Sequence, residues 1–374
     1  MVHPRSLDSH SRTGRVSAGR LLGGALGVAL SFAPPTVASA QGRCGGDRAG
    51  TAMCDTTPAK APFAATGWKT VALDHFSIQA TDYKKEAAYF STLMNWKLRS
   101  DDGTKAVLDV GDIGAVEIRG GFQAPPPPPP PTVADSAAGR AGRGGGARAP
   151  RKVAWDSFCW VIAPWNAKTV EAELKKRGLT PVADNDGKGF ESFHVKDPDG
   201  FDVQLSNDAH VKSRKATAAV AKSSAASPYD GTDWKTVWLD HISFEVSNYK
   251  ESTAFYQALL GWKPTGDEGS QNETEIGDIG NIIIRGGNPA TLPAGAPPAP
   301  RRAAMGHVSF GITPFDADKT KAALTARGLN AREDTGGKGD IHDEKAKYKS
   351  YHTTTPEGFD LQISNATKVN RTVR

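Results

Sequence analysis

Two long segments of this chain repeat each other. Residues 68–121 align without a gap with residues 234–287, at a constant offset of 166 positions (234 − 68). Further on, "SFHVKDPDGFDVQLSN" and "SYHTTTPEGFDLQISN" repeat at an offset of 158 (356 − 198). A duplication of this length predicts two domains with one fold, because both copies carry the same spacing of apolar residues.

Each copy reads as two similar halves. In "LDHISFEV" the apolar residues Ile242, Phe244 and Val246 alternate with polar ones, which is typical of a half-buried strand. The following "NYKESTAFYQALLGW" predicts a helix that begins after Asn248 and ends at Gly261. Two or three strands come next, and the second half repeats this order. We therefore expect an α+β fold of two tandem domains, each with a curved antiparallel sheet that forms a cup and carries helices on its outer face.

The repeats, and the composition between them, set the expected boundaries. Stretches rich in Pro, Gly and Arg cannot bury enough apolar surface to order themselves, so we expect them to be loops and linkers. The expected organisation is a signal peptide (1–40), a disordered Cys/Gly-rich segment (41–67), a first domain (68–207) with a Pro/Gly/Arg-rich loop (122–151), a linker (208–232), a second domain (233–366) and a tail (367–374).

The start of the chain has the features of an export signal. Arginines precede the apolar run "LLGGALGVALSF", which is too short to span a bilayer, and small residues lead up to Ala40. We expect cleavage near Ala40 and export to the periplasm or the medium; a disordered cytosolic tail is the alternative. In an oxidising compartment Cys44 and Cys54 could pair, whereas Cys159 lies in an apolar run and is expected to be buried and inert.

The charge distribution gives no case for nucleic-acid binding. The formal charge of +5 includes four arginines in the leader and four in the loop 122–151, so the folded parts are close to neutral. No other apolar run approaches the length needed to span a membrane either. We expect a soluble mature chain that binds a small molecule as a monomer with two pseudo-repeated domains, and a dimer stays open.

Strand alternation assigns polar side chains to the concave face of each cup. In the second domain these are His241, Ser243 and Glu245 on the first strand, His307 on the fifth, His352 on the seventh and Gln362 on the eighth. In the first domain the matching positions carry His75, Ser157, His194 and Gln204. Three imidazoles are therefore expected to converge in the second domain, whereas a serine replaces the fifth-strand histidine in the first.

The stretch "LDHISFEVSNYKESTAFYQALLGW", with the closing "DPDGFDVQL" and "PEGFDLQI", resembles the vicinal oxygen chelate superfamily, which includes glyoxalase I, bleomycin-resistance proteins and extradiol dioxygenases. The resemblance implies paired βαβββ modules and a divalent metal ion, Fe, Mn, Zn or Ni, held here by His241, His307 and Gln362. Gln362 stands where the family usually has a carboxylate, and an amide oxygen is a weaker donor. Glu245 could supply a carboxylate instead, and we expect it to act in catalysis together with His352. A resemblance to the dioxygenase signature further implies a proton-transfer role for His352.

Three functions remain open from the sequence. The first, which we expect, is a metal-dependent lyase, isomerase or dioxygenase whose ion in the second cup chelates two neighbouring oxygens of a small substrate. The first domain, with His75, Ser157, His194 and Gln204, is then a degenerate partner. The second is a metal-free protein that sequesters a small molecule, as bleomycin-resistance proteins do. The third is an interaction module of the cell envelope whose proline-rich loop contacts partners.

Overall fold

A computed structural model describes residues 56–123, 153–218, 227, 229–287 and 301–370. The expected signal peptide, together with Cys44 and Cys54, lies outside the described residues, and so does most of the proline-rich loop. Export, the pairing of these cysteines and the role of the loop in an envelope module therefore stay predictions.

Both repeats form the expected order of strands and helices. In the first domain the strands are β1 (Lys69–Ala80), β2 (Lys97–Asp101), β3 (Lys105–Val110), β4 (Gly114–Arg119), β5 (Val153–Ala163), β6 (Val182–Asn185), β7 (Glu191–Lys196) and β8 (Asp202–Ser206), and the helices are α1 (Tyr83–Leu93), α2 (Ala167–Lys176) and α3 (Ala209–Ala216). In the second domain the strands are β9 (Lys235–Val246), β10 (Lys263–Asp267), β11 (Gln271–Ile276), β12 (Gly280–Gly286), β13 (Ala304–Thr313), β14 (Arg332–Asp334), β15 (Ser350–Thr354) and β16 (Asp360–Ser364), and the helices are α4 (Tyr249–Leu260) and α5 (Ala317–Thr325).

Each domain is one eight-stranded sheet built from two βαβββ modules. The strand order is β2-β3-β4-β1-β5-β8-β7-β6 in the first domain and β10-β11-β12-β9-β13-β16-β15-β14 in the second. The first and last strands of a module pair in parallel, and the modules join through the antiparallel pairs β1/β5 and β9/β13. The sheets are therefore mixed rather than purely antiparallel, because the helix after the first strand returns the chain to the end where that strand began.

The helix after the first strand of each domain has the boundaries that the sequence indicates. The side chain of Asn248 accepts hydrogen bonds from the backbone N–H groups of Lys250 and Glu251 at the start of α4. Gly261 ends this helix in the left-handed region, with φ of 69°. In α1, Asp82 takes the place of the capping asparagine.

A bulge interrupts the first strand of each domain at the same residue type. On β1, Leu73 and His75 face the consecutive residues Trp160 and Cys159 of β5, so Asp74 is an extra residue. On β9, Asp240 is the extra residue in the same way. An extra residue breaks the alternation of side chains, so an aspartate and the histidine after it reach the same side of the sheet.

The helix-covered faces of the two sheets share one hydrophobic core. The ring centroids of Phe76 and Phe310 are 6.1 Å apart, and those of Phe158 and Phe244 are also 6.1 Å apart. These pairs join residues of different domains, so the two sheets bury each other's outer faces. Their concave faces, with the polar residues, stay outside this core.

The segment 208–232, which we expected to be a linker, contains the helix α3. Its residues His210 and Arg214 both reach Asp74 of β1. Among the described helices, none combines the length and the apolar character needed to cross a membrane.

Candidate functional sites

The second cup brings His241 and His307 into direct contact. Their Nε2 atoms are 2.9 Å apart, and His241 is only 2% exposed. Metal–imidazole bonds are about 2.0–2.1 Å long, so two such ligands at a right angle place their nitrogens roughly 3 Å apart. The two imidazoles therefore have the separation that neighbouring ligands of one divalent ion require.

Asp240 lies behind His241 and orients it. One carboxylate oxygen lies 3.3 Å from Nδ1 of His241 and accepts hydrogen bonds from Ser309 Oγ at 2.8 Å and from the Tyr348 hydroxyl at 2.7 Å. A proton held on Nδ1 by this carboxylate makes Nε2 the nitrogen whose lone pair can bind a metal ion. Asp240 was not among the residues predicted for this site, although the repeated "LDH" of both copies was a signal for it.

Hydrogen bonds hold the amide nitrogen of Gln362, whereas its amide oxygen has no hydrogen-bond partner. Nε2 donates to Ser350 Oγ at 2.7 Å and to the Tyr348 hydroxyl at 2.9 Å. The Ser350 hydroxyl donates its hydrogen to the backbone carbonyl of Asp334, and the Tyr348 hydroxyl donates its hydrogen to the carboxylate of Asp240. Both hydroxyls can therefore only accept a hydrogen bond from Gln362. The amide orientation is thereby fixed. Oε1 of Gln362 is buried without a hydrogen-bond partner, which is costly unless a cation or a ligand occupies that position.

His352 lies in the same cup as the paired histidines. Its ring centroid is 4.9 Å from that of His307, and its Nε2 lies 3.1 Å from a carboxylate oxygen of Asp334. The same oxygen lies 3.4 Å from Nε2 of Gln362, so one carboxylate links the two residues. Asp334, which comes from the short edge strand β14, was not among the predicted residues.

Glu245 differs from the other predicted residues of this cup because it is exposed. It lies at the end of β9, opposite Ala304 of β13 and Arg285 of β12. In the described part of the chain no hydrogen bond joins Glu245 to His241 or His307. A ligand or catalytic role for Glu245 therefore stays a prediction, because no described hydrogen bond to these histidines supports it.

The matching positions of the first domain are differently arranged. Ser157 occupies the place of His307, so His75 has no imidazole partner from the fifth strand. Gln204 donates to Ser192 Oγ at 2.7 Å, as Gln362 does to its own serine. His194 lies 2.8 Å from Asp202, and this hydrogen bond raises the pKa of the imidazole.

A second cluster of metal-ligating side chains lies in the first domain around Asp74. Ligand atoms of Asp74, His75 and Cys159 all lie within 4.8 Å of one another, and all three residues are buried. His210 adds a second imidazole, with Nδ1 3.2 Å from Oδ1 of Asp74. Arg214 lies 3.7 Å from Oδ2, the other oxygen of Asp74.

The buried groups around Asp74 shift one another's pKa values. Burial alone would raise the pKa of this carboxyl, but hydrogen bonds from His210 and His75 bring the pKa far below its usual range. Burial would lower the pKa of His210, yet the hydrogen bonds to Asp74 and Asp186 raise it. Burial raises the pKa of the Cys159 thiol well above its usual value. Without a cation, Cys159 is therefore a protonated, unreactive thiol, in line with the expectation from its apolar neighbours.

The fold and these cups define a protein of two tandem βαβββ domains with polar concave faces. Residues 238–363 match the sequence model of the Glyoxalase/Bleomycin resistance protein/Dioxygenase superfamily. The second domain is therefore similar in sequence to this superfamily, and the first repeats its architecture, as the resemblance to the vicinal oxygen chelate superfamily implied. No curated protein matches the chain at a significant level.

Solved structures with the same fold are distant in sequence. The Mn(II)-bound glyoxalase from Novosphingobium aromaticivorans is 14% identical, with a TM-score of 0.52 over 79% of this chain and 82% of that one. An extradiol ring-cleaving dioxygenase from B. fuscum is 14% identical, with a TM-score of 0.51 over 83% of this chain and 75% of that one. Homoprotocatechuate 2,3-dioxygenase from Arthrobacter globiformis is 16% identical, with a TM-score of 0.50 over 82% and 84%. At these identities the likeness establishes the fold.

Proposed function

We propose that this chain is a metal-dependent enzyme acting on a small molecule with two neighbouring oxygen atoms, bound in the second cup. His241 and His307 would hold a divalent ion through Nε2, and Gln362 would hold it through Oε1. When bound, the ion would polarise the two substrate oxygens and stabilise negative charge on them.

The contact between His241 and His307 carries this proposal. The imidazole nitrogens of the buried His241 and the half-buried His307 lie 2.9 Å apart. Asp240 orients His241 from behind, so the two rings form a ligand pair with a supporting carboxylate. Oε1 of Gln362, which has no hydrogen-bond partner, is a third atom that can bind the ion. The hydrogen bonds from Nε2 of Gln362 to Ser350 and Tyr348 fix the orientation of the amide. The resemblance to metal-dependent relatives, including the Mn(II)-bound glyoxalase, supports the same reading.

The proposed ligands suggest the charge of the substrate. Two neutral imidazoles and an amide bring no negative charge, in contrast to the set of two histidines and one carboxylate. A divalent ion in this cup would keep both of its charges. We infer a substrate that supplies negative charge itself by losing a proton from one of two neighbouring oxygens, such as a catechol or an α-hydroxycarbonyl compound.

His352 is the proposed acceptor of that proton. Its Nε2 lies 3.1 Å from Asp334, so this carboxylate holds the ring in one orientation and leaves Nδ1 for the substrate. Its side chain is 16% exposed, which keeps a path for the proton to solvent. Asp334 is therefore a positioning residue, and His352 is the group that would touch the substrate.

A metal-free binding protein is the alternative, and one observation favours it. The nitrogens of His241 and His307 also satisfy the geometry of a hydrogen bond in which one neutral ring donates and the other accepts. In that case the two histidines only line the cup and need no ion.

Metal analysis of single variants separates these functions. The number of divalent ions per chain is measured after purification, for the unaltered chain and for His241→Ala and His307→Ala. His342→Ala is the matched control, because His342 is exposed and lies outside the cup. We expect either cup variant to lose one ion, together with turnover of catechols or α-hydroxycarbonyl compounds. Unchanged metal content in both cup variants would leave the metal-free binding protein as the function.

A further inference from the structure

Four side chains from three elements meet below the first cup: Asp74 and His75 from β1, Cys159 from β5 and His210 from α3. Oδ1 of Asp74 lies 2.8 Å from Nδ1 of His75 and 3.2 Å from Nδ1 of His210. Cys159 is the direct cross-strand neighbour of His75 and has no exposed surface. The mechanism proposed for the second cup uses none of these residues.

We propose that Asp74, His75, Cys159 and His210 form a four-ligand site for a zinc-class divalent cation in the first domain. One thiolate, two imidazoles and one carboxylate are ligands that zinc takes in tetrahedral sites. In such a site neighbouring ligand atoms are about 3.3–3.7 Å apart, from bonds of about 2.0–2.3 Å. The ligand atoms of Asp74, His75 and Cys159 already lie within 4.8 Å of one another. The imidazoles of His75 and His210 lie 2.8 and 3.2 Å from Asp74. His210 lies outside the group of three, so its side chain would move toward His75 and Cys159 to become the fourth ligand.

His210 is held in place before any ion arrives. Its ring stacks on Phe190, with centroids 3.9 Å apart and an angle of 2° between the planes. While Nδ1 faces Asp74, Nε2 lies 3.4 Å from a carboxylate oxygen of Asp186. A carboxylate on the far nitrogen of a ligating histidine fixes its tautomer and strengthens the ligand. The side chain of His210 is also 35% exposed, which gives the ion a route from solvent.

Arg214 does not prevent cation binding, because it approaches the other oxygen of Asp74. It lies one helical turn after His210 on α3 and is 3.7 Å from Oδ2, whereas both imidazoles face Oδ1. Thiolate and neutral imidazole are the forms that bind a metal ion, so binding of the ion would release the proton of the Cys159 thiol.

The second domain has no copy of this cluster at the matching positions. Ser309 takes the place of Cys159, and Tyr348 takes the place of Phe190. There Asp240 is satisfied by these two hydroxyls, and Lys368 stands at the position of His210. A thiolate ligand would therefore identify an ion in the first domain, independently of the proposed function of the second.

Cobalt(II) spectroscopy tests the site directly. The full chain carrying Cys44→Ser and Cys54→Ser, so that Cys159 is its remaining cysteine, is stripped of metal and titrated with Co²⁺. We expect a near-ultraviolet thiolate-to-cobalt charge-transfer band that saturates at one ion and is abolished by added Zn²⁺. Cys159→Ser, which introduces the residue found at this position in the second domain, should remove the band.

Asp186→Asn is the second variant, because it keeps all four ligands and alters only the support of His210. We expect it to keep the band and to weaken Zn²⁺ binding about 10- to 100-fold. His307→Ala should leave the band unchanged, so failure of the second cup and failure of this site give different results. Absence of the band from the unaltered cluster, its persistence in Cys159→Ser, or Zn²⁺ affinity unaffected by Asp186→Asn would overturn the proposal.

Discussion

The indole nitrogen of Trp96 donates a hydrogen bond to the hydroxyl of Thr236 over 2.8 Å, which joins the two halves of the chain. The second half returns the contact, because Trp262 donates to Thr70 over 3.0 Å. All four side chains are buried in or beside the core that the two sheets share. The duplicated contact makes each domain part of the other's interior, so we expect the domains to unfold together.

Replacing Thr236 by valine tests this contact. Valine keeps the volume but cannot accept from Trp96, so a buried indole N–H loses its partner. We expect the free energy of unfolding to fall by about 1–3 kcal/mol, in a single transition, when the protein is unfolded in urea. Thr180→Val, at an exposed position, should change it by less than about 0.5 kcal/mol. Two separate transitions in the unaltered chain would contradict the shared interior.

The sequence predicted the two domains, the modules and the helix boundaries, since periodicity and capping residues are local signals. It did not predict the parallel pairing within each module or the shared core. Both depend on which distant segments come together. The sequence of neither strand indicates, for example, that Phe76 contacts Phe310. The duplication indicated two copies of a fold but carried no information on how the copies pack.

A buried carboxyl in α1 makes stability depend on pH. Glu86 has no exposed surface, and burial raises its pKa to about 8, more than the neighbouring Thr355 lowers it. The unfolded chain loses this proton near pH 4.5. The folded state therefore holds a proton that the unfolded state has lost between these values. The stability that Glu86 contributes is full below pH 4.5 and is lost as the pH rises through about 8.

Glu86→Gln removes this titration and keeps the shape of the protonated side chain. We expect the variant to gain stability over the unaltered chain as the pH rises from 5 to 8, by on the order of a few kcal/mol at the upper end. Unfolding free energies at four pH values check this. Glu344→Gln, at an exposed position, should leave the pH dependence as it is. A constant difference between Glu86→Gln and the unaltered chain at every pH would rule out the buried proton.

The predicted residues of the second cup were found by alternation, and the missed ones lie where alternation fails. His241, His307, His352 and Gln362 follow the two-residue period of regular strands. Asp240 was not predicted, because the bulge on β9 turns an extra side chain toward the cup. A bulge depends on the pairing strand and has no dependable signature in one sequence.

His210 was not predicted as a site residue for a different reason. It lies in a segment whose composition indicated a linker, and its place beside Asp74 follows from the packing of α3. Loops and connecting segments carry functional residues without a periodic pattern that would reveal them.

Asp240→Asn tests whether this carboxylate supports the ligand His241. Asparagine nearly preserves the shape but weakens the charge-assisted contact to Nδ1. We expect retention of the ion in the second cup to weaken about 10- to 100-fold, measured by competition with a chelator. Asp278→Asn is the control, because Asp278 is largely exposed. Unchanged retention in Asp240→Asn, with an unaltered melting temperature, would mean that His241 needs no support or holds no ion.

Gln362→Glu tests the weakest of the proposed ligands. A carboxylate would complete the set of two histidines and one acidic residue and bind a divalent ion more strongly than an amide does. However, glutamate cannot donate to Ser350 and Tyr348, and it would lie beside the carboxylate of Asp334. We therefore expect the variant to be less stable without metal and to retain metal more tightly.

The first domain supplies the matched control for this change. Gln204 makes the same hydrogen bond to a serine of the neighbouring strand, but Ser157 stands where a second histidine would be. Gln204→Glu should therefore lose stability without gaining metal. If Gln362→Glu behaves in the same way as Gln204→Glu, the oxygen of Gln362 does not face an ion, and the second cup binds its ligand without one.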